Sequence, residues 1–217
     1  MKAYRLKGAL CANALVVVLE VVALVLSLAG QGVESFLFYT QDSNYFAMAA
    51  SLLFCVYAVR ELRGVGKMPG WIHTFRYMAV SCLMLTFFVV ITILMPMSGE
   101  NALFMLYGNS MLYQHTICPI LAVFSFFVFE SRTDLPGFDV IKALVPTLAY
   151  ALMTITLNIC KVIEGPYPFL MVYAQPWYAS VLWCIIILGI AGFLAAAVWG
   201  LNHLIWKNTY KMSKMSR

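Results

Sequence analysis

Six apolar stretches, near residues 8–30, 38–59, 72–95, 107–129, 140–160 and 178–206, are joined by links too short to fold on their own. Crossing a hydrocarbon core of roughly 30 Å takes about 20 helical residues, and each stretch is of that order. A soluble globule could not hide this much apolar surface and still present a polar exterior. Of the 217 residues, 63% are hydrophobic and only 11% charged, and the mean hydropathy is +0.88. The chain is therefore expected to be all-α, an integral membrane bundle of six transmembrane helices forming one domain over residues 1–217. Lipid is its principal solvent.

The basic residues give the orientation. Lys2, Arg5 and Lys7 precede the first span, and Arg60, Arg63, Lys67 and Arg76 surround the second link. Arg132 and Lys142 flank the fourth link; Lys207, Lys211, Lys214 and Arg217 follow the last span. Every Lys and Arg except Lys161 thus falls on one side, which places both termini in the cytoplasm. The net charge of +5 then reflects topology and anionic headgroups, and nucleic acid is not an expected partner. The basic start and the small residues of SLAG have the look of a secretory signal, but the apolar run is long for one and Glu20 interrupts it. It is read as a span.

Cys11, Cys55, Cys82, Cys118, Cys160 and Cys184 fall one to each span, with no CxxC pair and no histidine at ligand spacing. Neither a metal site, a disulfide framework nor any cofactor is expected, because an isolated cysteine in a span behaves as a small hydrophobe. Gly192, Ala196 and Gly200 in the last span form a small-residue series suited to close packing within the bundle.

Against this apolar background, the stretch FYTQDSN at the start of the second span places Thr40, Gln41, Asp42, Ser43 and Asn44 in succession. The fourth span enters from the same side and carries Asn109, Gln114 and His115, with Pro119 four residues beyond the histidine. Thr40 lies about one turn below the outer end of its span, and His115 roughly 10–14 Å along its own at 1.5 Å per residue. The two share the outer half of the bilayer. Thr40, Asn44, Ala47 and Ser51 line one helical face, as do His115, Pro119, Ala122 and Ser125; polar faces in a membrane turn toward protein or water. Pro119 offers no N–H to the His115 carbonyl, so an opened turn is expected at the histidine.

Two readings follow. In the first, Thr40 is a nucleophile activated by His115 as general base, with Asp42 orienting the imidazole. Gln41, Ser43, Asn44, Asn109 and Gln114 are then substrate-binding groups or donors to an oxyanion. In the second, Asp42 or Ser43 merely caps a helix running from Asn44 to Val59, and His115 is a packing residue.

The two stretches also resemble a known family. FYTQDSN is similar to the F-T-x-Q-S-N signature that opens the second helix of the Pr6Pr-type bacterial six-helix membrane proteins. HTICPILAVFSF is similar to the H-x-x-x-P-L-L-A-x-x-D-W stretch of their fourth helix. That group resembles in turn the androgen-induced hydrolases of animals, which cleave fatty acid esters of hydroxy fatty acids with an intramembrane threonine and histidine. The resemblance implies a bacterial plasma-membrane protein with its site on the extracytoplasmic side, Thr40 as nucleophile, His115 as base, and membrane lipid as substrate as well as solvent. Asp42 departs from the signature, which has Gln there, and Ser125 stands where the signature often has Asp.

Other functions compete. Glu20, in mid-span, could join Asp42 and His115 on an ion path through a small transporter or channel, although no inverted repeat is visible. A structural hydrogen bond, to Arg76 or a neighbouring span, is the preferred account of Glu20. A non-catalytic lipid-binding protein would retain the same polar pocket. His73 and Arg76 lie near the cytoplasmic start of the third span, where Arg76 is expected to reach the headgroups, and neither is expected to be catalytic.

Overall fold

The protein is described by a computed structural model covering residues 3–99, 102–132 and 135–215, with side chains described through Asn208. Lys2 and Arg217, and the side chains of Lys211 and Lys214, lie outside the described residues.

Helix α1 spans Ala3–Gln31 and passes through a tight 3-10 turn, Gly32–Leu37, into α2, Tyr39–Leu62. Gly32 starts that turn at φ +61°, a conformation that L side chains adopt at a cost. After α2, Gly64 at φ +74° ends the helix, and the Val65 amide donates to the Arg60 carbonyl. Helix α3, Gly70–Val89, continues through a π turn, Val90–Leu94, into α4, Met95–Met97. The short α5, Phe104–Tyr107, is followed by a π turn, Leu112–Ile117, that leads into α6, Cys118–Val128. Then come α7, Asp139–Lys142, α8, Val145–Ile159, a 3-10 turn at Pro168–Leu170, and α9, Trp177–Met215. Among the described residues there are no strands.

Five of these helical stretches are long and apolar enough to cross a membrane: Ala3–Leu37, Tyr39–Leu62, Gly70–Met97, Asp139–Ile159 and Trp177–Asn208. The fourth expected span differs. Its apolar helix covers only Leu112–Val128, because Gly108 is extended and Asn109 is left-handed at φ 43°, which breaks the chain after α5. The π turn before Pro119 is the opened turn expected at His115, and a second π turn precedes Pro96. In each case the proline ring displaces the carbonyl four residues back and lacks the N–H to bind it.

Helix α3 is the centre of the bundle, packed against α2, α6 and α9. Ala47, Ala50, Ala79 and Ala122 are fully or almost fully buried where α2, α3 and α6 meet, and their small side chains let the backbones approach. Helix α9 packs through Ala191, Leu194, Ala195, Val198 and Asn202. The Gly192–Ala196–Gly200 series is not that face. Ala196 is exposed, and among the described residues nothing lies within 4 Å of a Cβ built at Gly192 or Gly200.

One end of the bundle is tied by charge. Arg76 is fully buried and donates to Glu130 through Nε (3.1 Å) and Nη2 (3.2 Å), and to Ser51 through Nη1 (2.9 Å). It pairs inside the protein instead of reaching for headgroups. Asn13 and Ser125 both donate to Glu130 Oε1 at 2.8 Å. Burial works against the Glu130 charge, yet the guanidinium beside it, with Asn13 and Ser125, holds its carboxyl below the usual carboxylate range. Arg5 donates to Ser131, and Asn202 exchanges bonds with the Arg132 backbone. The start of α1, the end of α6 and the last part of α9 therefore meet at this basic end.

Glu20 is fully buried on the α1 face that also carries Asn13 and Ser27. It does not pair with Arg76, which Glu130 holds; among the described residues the Cys118 thiol is the polar group beside it, and neither carboxyl oxygen makes a hydrogen bond of good geometry.

Candidate active site

The polar residues of FYTQDSN cap nothing. Phe38 occupies the cap position without a side-chain bond, and its carbonyl accepts from the Gln41 and Asp42 amides at 3.0 Å. All five polar residues are inside the helix, and Thr40, Gln41, Ser43 and Asn44 are buried by the bundle. In the first turn of a helix the backbone amides have no intrahelical acceptor. The Thr40 amide donates instead to the hydroxyl of Tyr167 (3.2 Å), which itself donates to Thr40 Oγ1 (3.4 Å). Tyr167 reaches this turn because the link after α8 folds back into the bundle. Asn158 holds that link through bonds to the Ile163 carbonyl and the Val172 amide, both 2.8 Å, and Tyr167 stacks on Phe169 at 5.1 Å. Burial pushes the Tyr167 phenol up to about 12, so it remains a hydrogen-bond donor at neutral pH.

The carbonyl of Thr40 accepts from Ser43 Oγ (3.1 Å) and Asn44 Nδ2 (2.6 Å). Asn44 also donates to the Gln114 carbonyl at 3.0 Å, joining this turn to the π turn that carries His115. Ser43 and Thr86 share a bond of 2.6 Å, which sets this turn level with Thr86 of α3. From Val89 to Met97 the chain rises about 12 Å further, so Thr40 lies below the end of the α3 stretch, while the Gln41–Gln31 bond keeps it level with the end of α1.

Beside Thr40 lies a cavity of about 60 Å³ whose walls include Leu85, Val89, Leu170, Trp183 and Ile187. Thr86, Thr147, Tyr150 and Tyr167 also border it. His115 does not. It is buried in the π turn, and its Nδ1 lies 2.7 Å from the Met105 carbonyl. A carbonyl only accepts, so Nδ1 carries the proton, which leaves the lone pair on Nε2 whenever the ring is neutral. Thr40 and His115 are thus brought into one polar layer through Asn44, while the Thr40 hydroxyl takes its hydrogen bond from Tyr167 and not from the imidazole.

The other expected site residues separate by helical geometry. Asp42 follows Thr40 by two positions, which points it to a different face. It borders a groove between α2, α3 and α8, and the Met105 carbonyl fills the imidazole-orienting role that Asp42 was expected to play. Gln41 bonds to Gln31 (2.7 Å) and Tyr45 (3.0 Å). Asn109 is exposed at the bend before the π turn. Gln114 accepts from Ser27 at 3.4 Å, while its Nε2 and the Oδ1 of Asn44 are buried without partners among the described residues. Among the described residues no cluster of three His, Cys, Asp or Glu side chains is placed to hold a metal.

Comparisons of the chain with protein-family models, with curated proteins and with solved structures found no match. The site therefore has to be read from its own chemistry. Tyr167 was not singled out from the sequence. Its one signal there is the apolar, proline-flanked PYPFL inside a link between spans, unusual for a segment that should face water and consistent with backbone that turns back into protein.

Proposed function

We propose that the chain is an intramembrane lipid-ester hydrolase with Thr40 as nucleophile and His115 as base. The observation that carries this reading is Asn44, whose buried amide donates to the carbonyls of both Thr40 and Gln114. One side chain thereby couples the turn bearing the hydroxyl to the turn bearing the imidazole. The lone pair on His115 Nε2 suits proton removal, and the aliphatic and aromatic walls of the cavity suit the uncharged ester end of a lipid. The resemblance of the two stretches to intramembrane threonine hydrolases points the same way.

In the reaction, the Tyr167 hydroxyl gives way to the ester carbonyl, whose oxygen then accepts from the Thr40 amide. Thr40 Oγ1 turns toward His115, loses its proton to Nε2 and attacks the carbonyl carbon. The tetrahedral oxyanion is held by the Thr40 amide and the unpartnered Gln114 Nε2. Its collapse breaks the ester C–O bond, His115 returns the proton to the leaving alcohol, and an acyl-threonine remains. Water, deprotonated by His115, releases the fatty acid and restores the threonine.

In the membrane, Leu112–Val128 serves as a sixth, short span. The basic end faces the cytoplasm, as the distribution of Lys and Arg favours, and the Thr40 cavity lies toward the opposite leaflet. A fluorophosphonate probe tests the chemistry: it should label the purified wild type, and labelling should vanish in folded Thr40→Ala and His115→Ala. Absence of both labelling and fatty-acid release from a panel of lipid esters by folded wild type would overturn the reading.

A further inference from the structure

The Thr40 cavity, at about 60 Å³, has room for a few water-sized groups and none for an acyl chain. A larger space adjoins it. The groove that Asp42 borders, about 240 Å³, also touches Phe46, Cys82 and Pro146, and the exposed Ala149 and Met153 form its rim. Tyr39 and Tyr150 border both the groove and the cavity. Their rings meet at 5.2 Å with an interplanar angle of 65°, forming a partition between the two spaces. Each ring is held at its hydroxyl, Tyr39 by Thr147 (2.8 Å) and Tyr150 by the Leu37 carbonyl (2.7 Å). Rotation of either ring would break that hydrogen bond and merge groove and cavity into one passage from the side of the bundle to Thr40.

Charge decides what could use that passage. Among the described residues, Asp42 is the one carboxylate bordering it, and no Lys, Arg or His borders the groove or the cavity. A ligand carrying a free carboxylate would pass Asp42 with no cation to neutralise either group. A ligand without charge would meet only apolar walls and hydroxyls.

We propose that this groove is the lateral entrance to Thr40, and that Asp42 makes it selective for uncharged lipid esters over lipids bearing a free carboxylate. The inference rests on the hydrolase reading for the ester it names, but the entrance can be tested by binding alone. It also gives the replacement of Gln by Asp in the FYTQDSN stretch a physical consequence.

Trp183 on the cavity wall provides the signal. Purified protein in an alkaline, non-ionic detergent buffer is titrated with a dibrominated fatty acid or with its methyl ester, compared at equal mole fraction in the micelle. The quenching seen in Trp183→Phe is subtracted as background. The ester should quench Trp183 at a mole fraction at least about tenfold lower than the free acid, since like charges held together are strongly disfavoured. Asp42→Asn should bring the two titrations within about threefold by strengthening the acid alone, as removal of a repulsive element predicts. Asp42→Ser provides a second uncharged variant. Equal quenching by acid and ester in the wild type, or a difference that survives both substitutions, overturns the proposal. If the ester binds selectively and no fatty acid is released, the entrance stands and the hydrolase reading falls.

Discussion

Asn44 donates to the Gln114 carbonyl across 3.0 Å and to the Thr40 carbonyl across 2.6 Å, so one buried amide aligns two helical turns that lie far apart in the sequence. Asn44→Ala removes both bonds and leaves a buried carbonyl short of a donor. The expected loss is about 1–3 kcal/mol of stability, read as a lower unfolding temperature in detergent. Fluorophosphonate labelling should fall with it, even where the variant is fully folded at the assay temperature.

Tyr167 is hydrogen-bonded to both the amide and Oγ1 of Thr40, and on the proposed mechanism a substrate would displace it. Tyr167→Phe keeps the packing on Phe169 and deletes the hydroxyl. Labelling of Thr40 should then be at least as fast as in the wild type, with stability lower by about 0.5–1.5 kcal/mol. A loss of activity near the 10²–10³-fold typical of an oxyanion donor would instead make Tyr167 part of the catalytic machinery.

The Arg76–Glu130 pair is buried on both sides. Arg76→Met leaves the Glu130 charge uncompensated and should cost about 3–5 kcal/mol, whereas Arg76→Met combined with Glu130→Met should recover much of that loss. The Glu130 carboxyl is held below its ordinary value in the fold. Its contribution is therefore complete above the unfolded value of about 4.3 and is lost as pH falls through the lower folded value. Glu130→Gln should flatten this acid limb of stability against pH, measured by thermal unfolding across the acidic range.

Among the described residues neither oxygen of Glu20 makes a well-formed hydrogen bond, and only the Cys118 thiol lies beside it. Glu20→Gln should consequently leave the unfolding temperature unchanged or raise it, since at most a weak thiol contact is changed and a buried acid is replaced by a neutral group. A loss of more than about 1 kcal/mol would show that the carboxyl has a partner in the membrane-embedded protein. Flux of protons or cations into vesicles, abolished by the same substitution, would revive the transporter reading.

The orientation is checked at two exposed link residues, Val65 and Val162. In a cysteine-free background, a membrane-impermeant maleimide should reach Val65→Cys only from the cytoplasmic side and Val162→Cys only from the outside. Labelling of both from one side would refute the proposed topology.

Much of this arrangement is legible in the residues. Apolar run length determines that α1, α2, α3 and α9 are long membrane-type helices, because a lipid-facing backbone must satisfy its own hydrogen bonds. Proline chemistry determines the opened turn at His115, which depends only on atoms four residues away. The polar groups on apolar spans mark Thr40, Asn44 and His115 as inward-facing, since lipid offers them no partner. Other features depend on residues distant in the chain. Nothing local says that Glu130 will take Arg76 and leave Glu20 alone, that the PYPFL link will turn back to reach Thr40, or that the Met105 carbonyl will hold the imidazole in place of Asp42. Helical periodicity does separate Asp42 from Thr40, but only the packing of α8 shows which groove it borders. Solvent and local geometry dictate the elements and which of their faces are polar, so both are legible in the residues. Which polar groups meet is a matter of tertiary packing, because each buried donor takes whichever acceptor distant helices bring within reach.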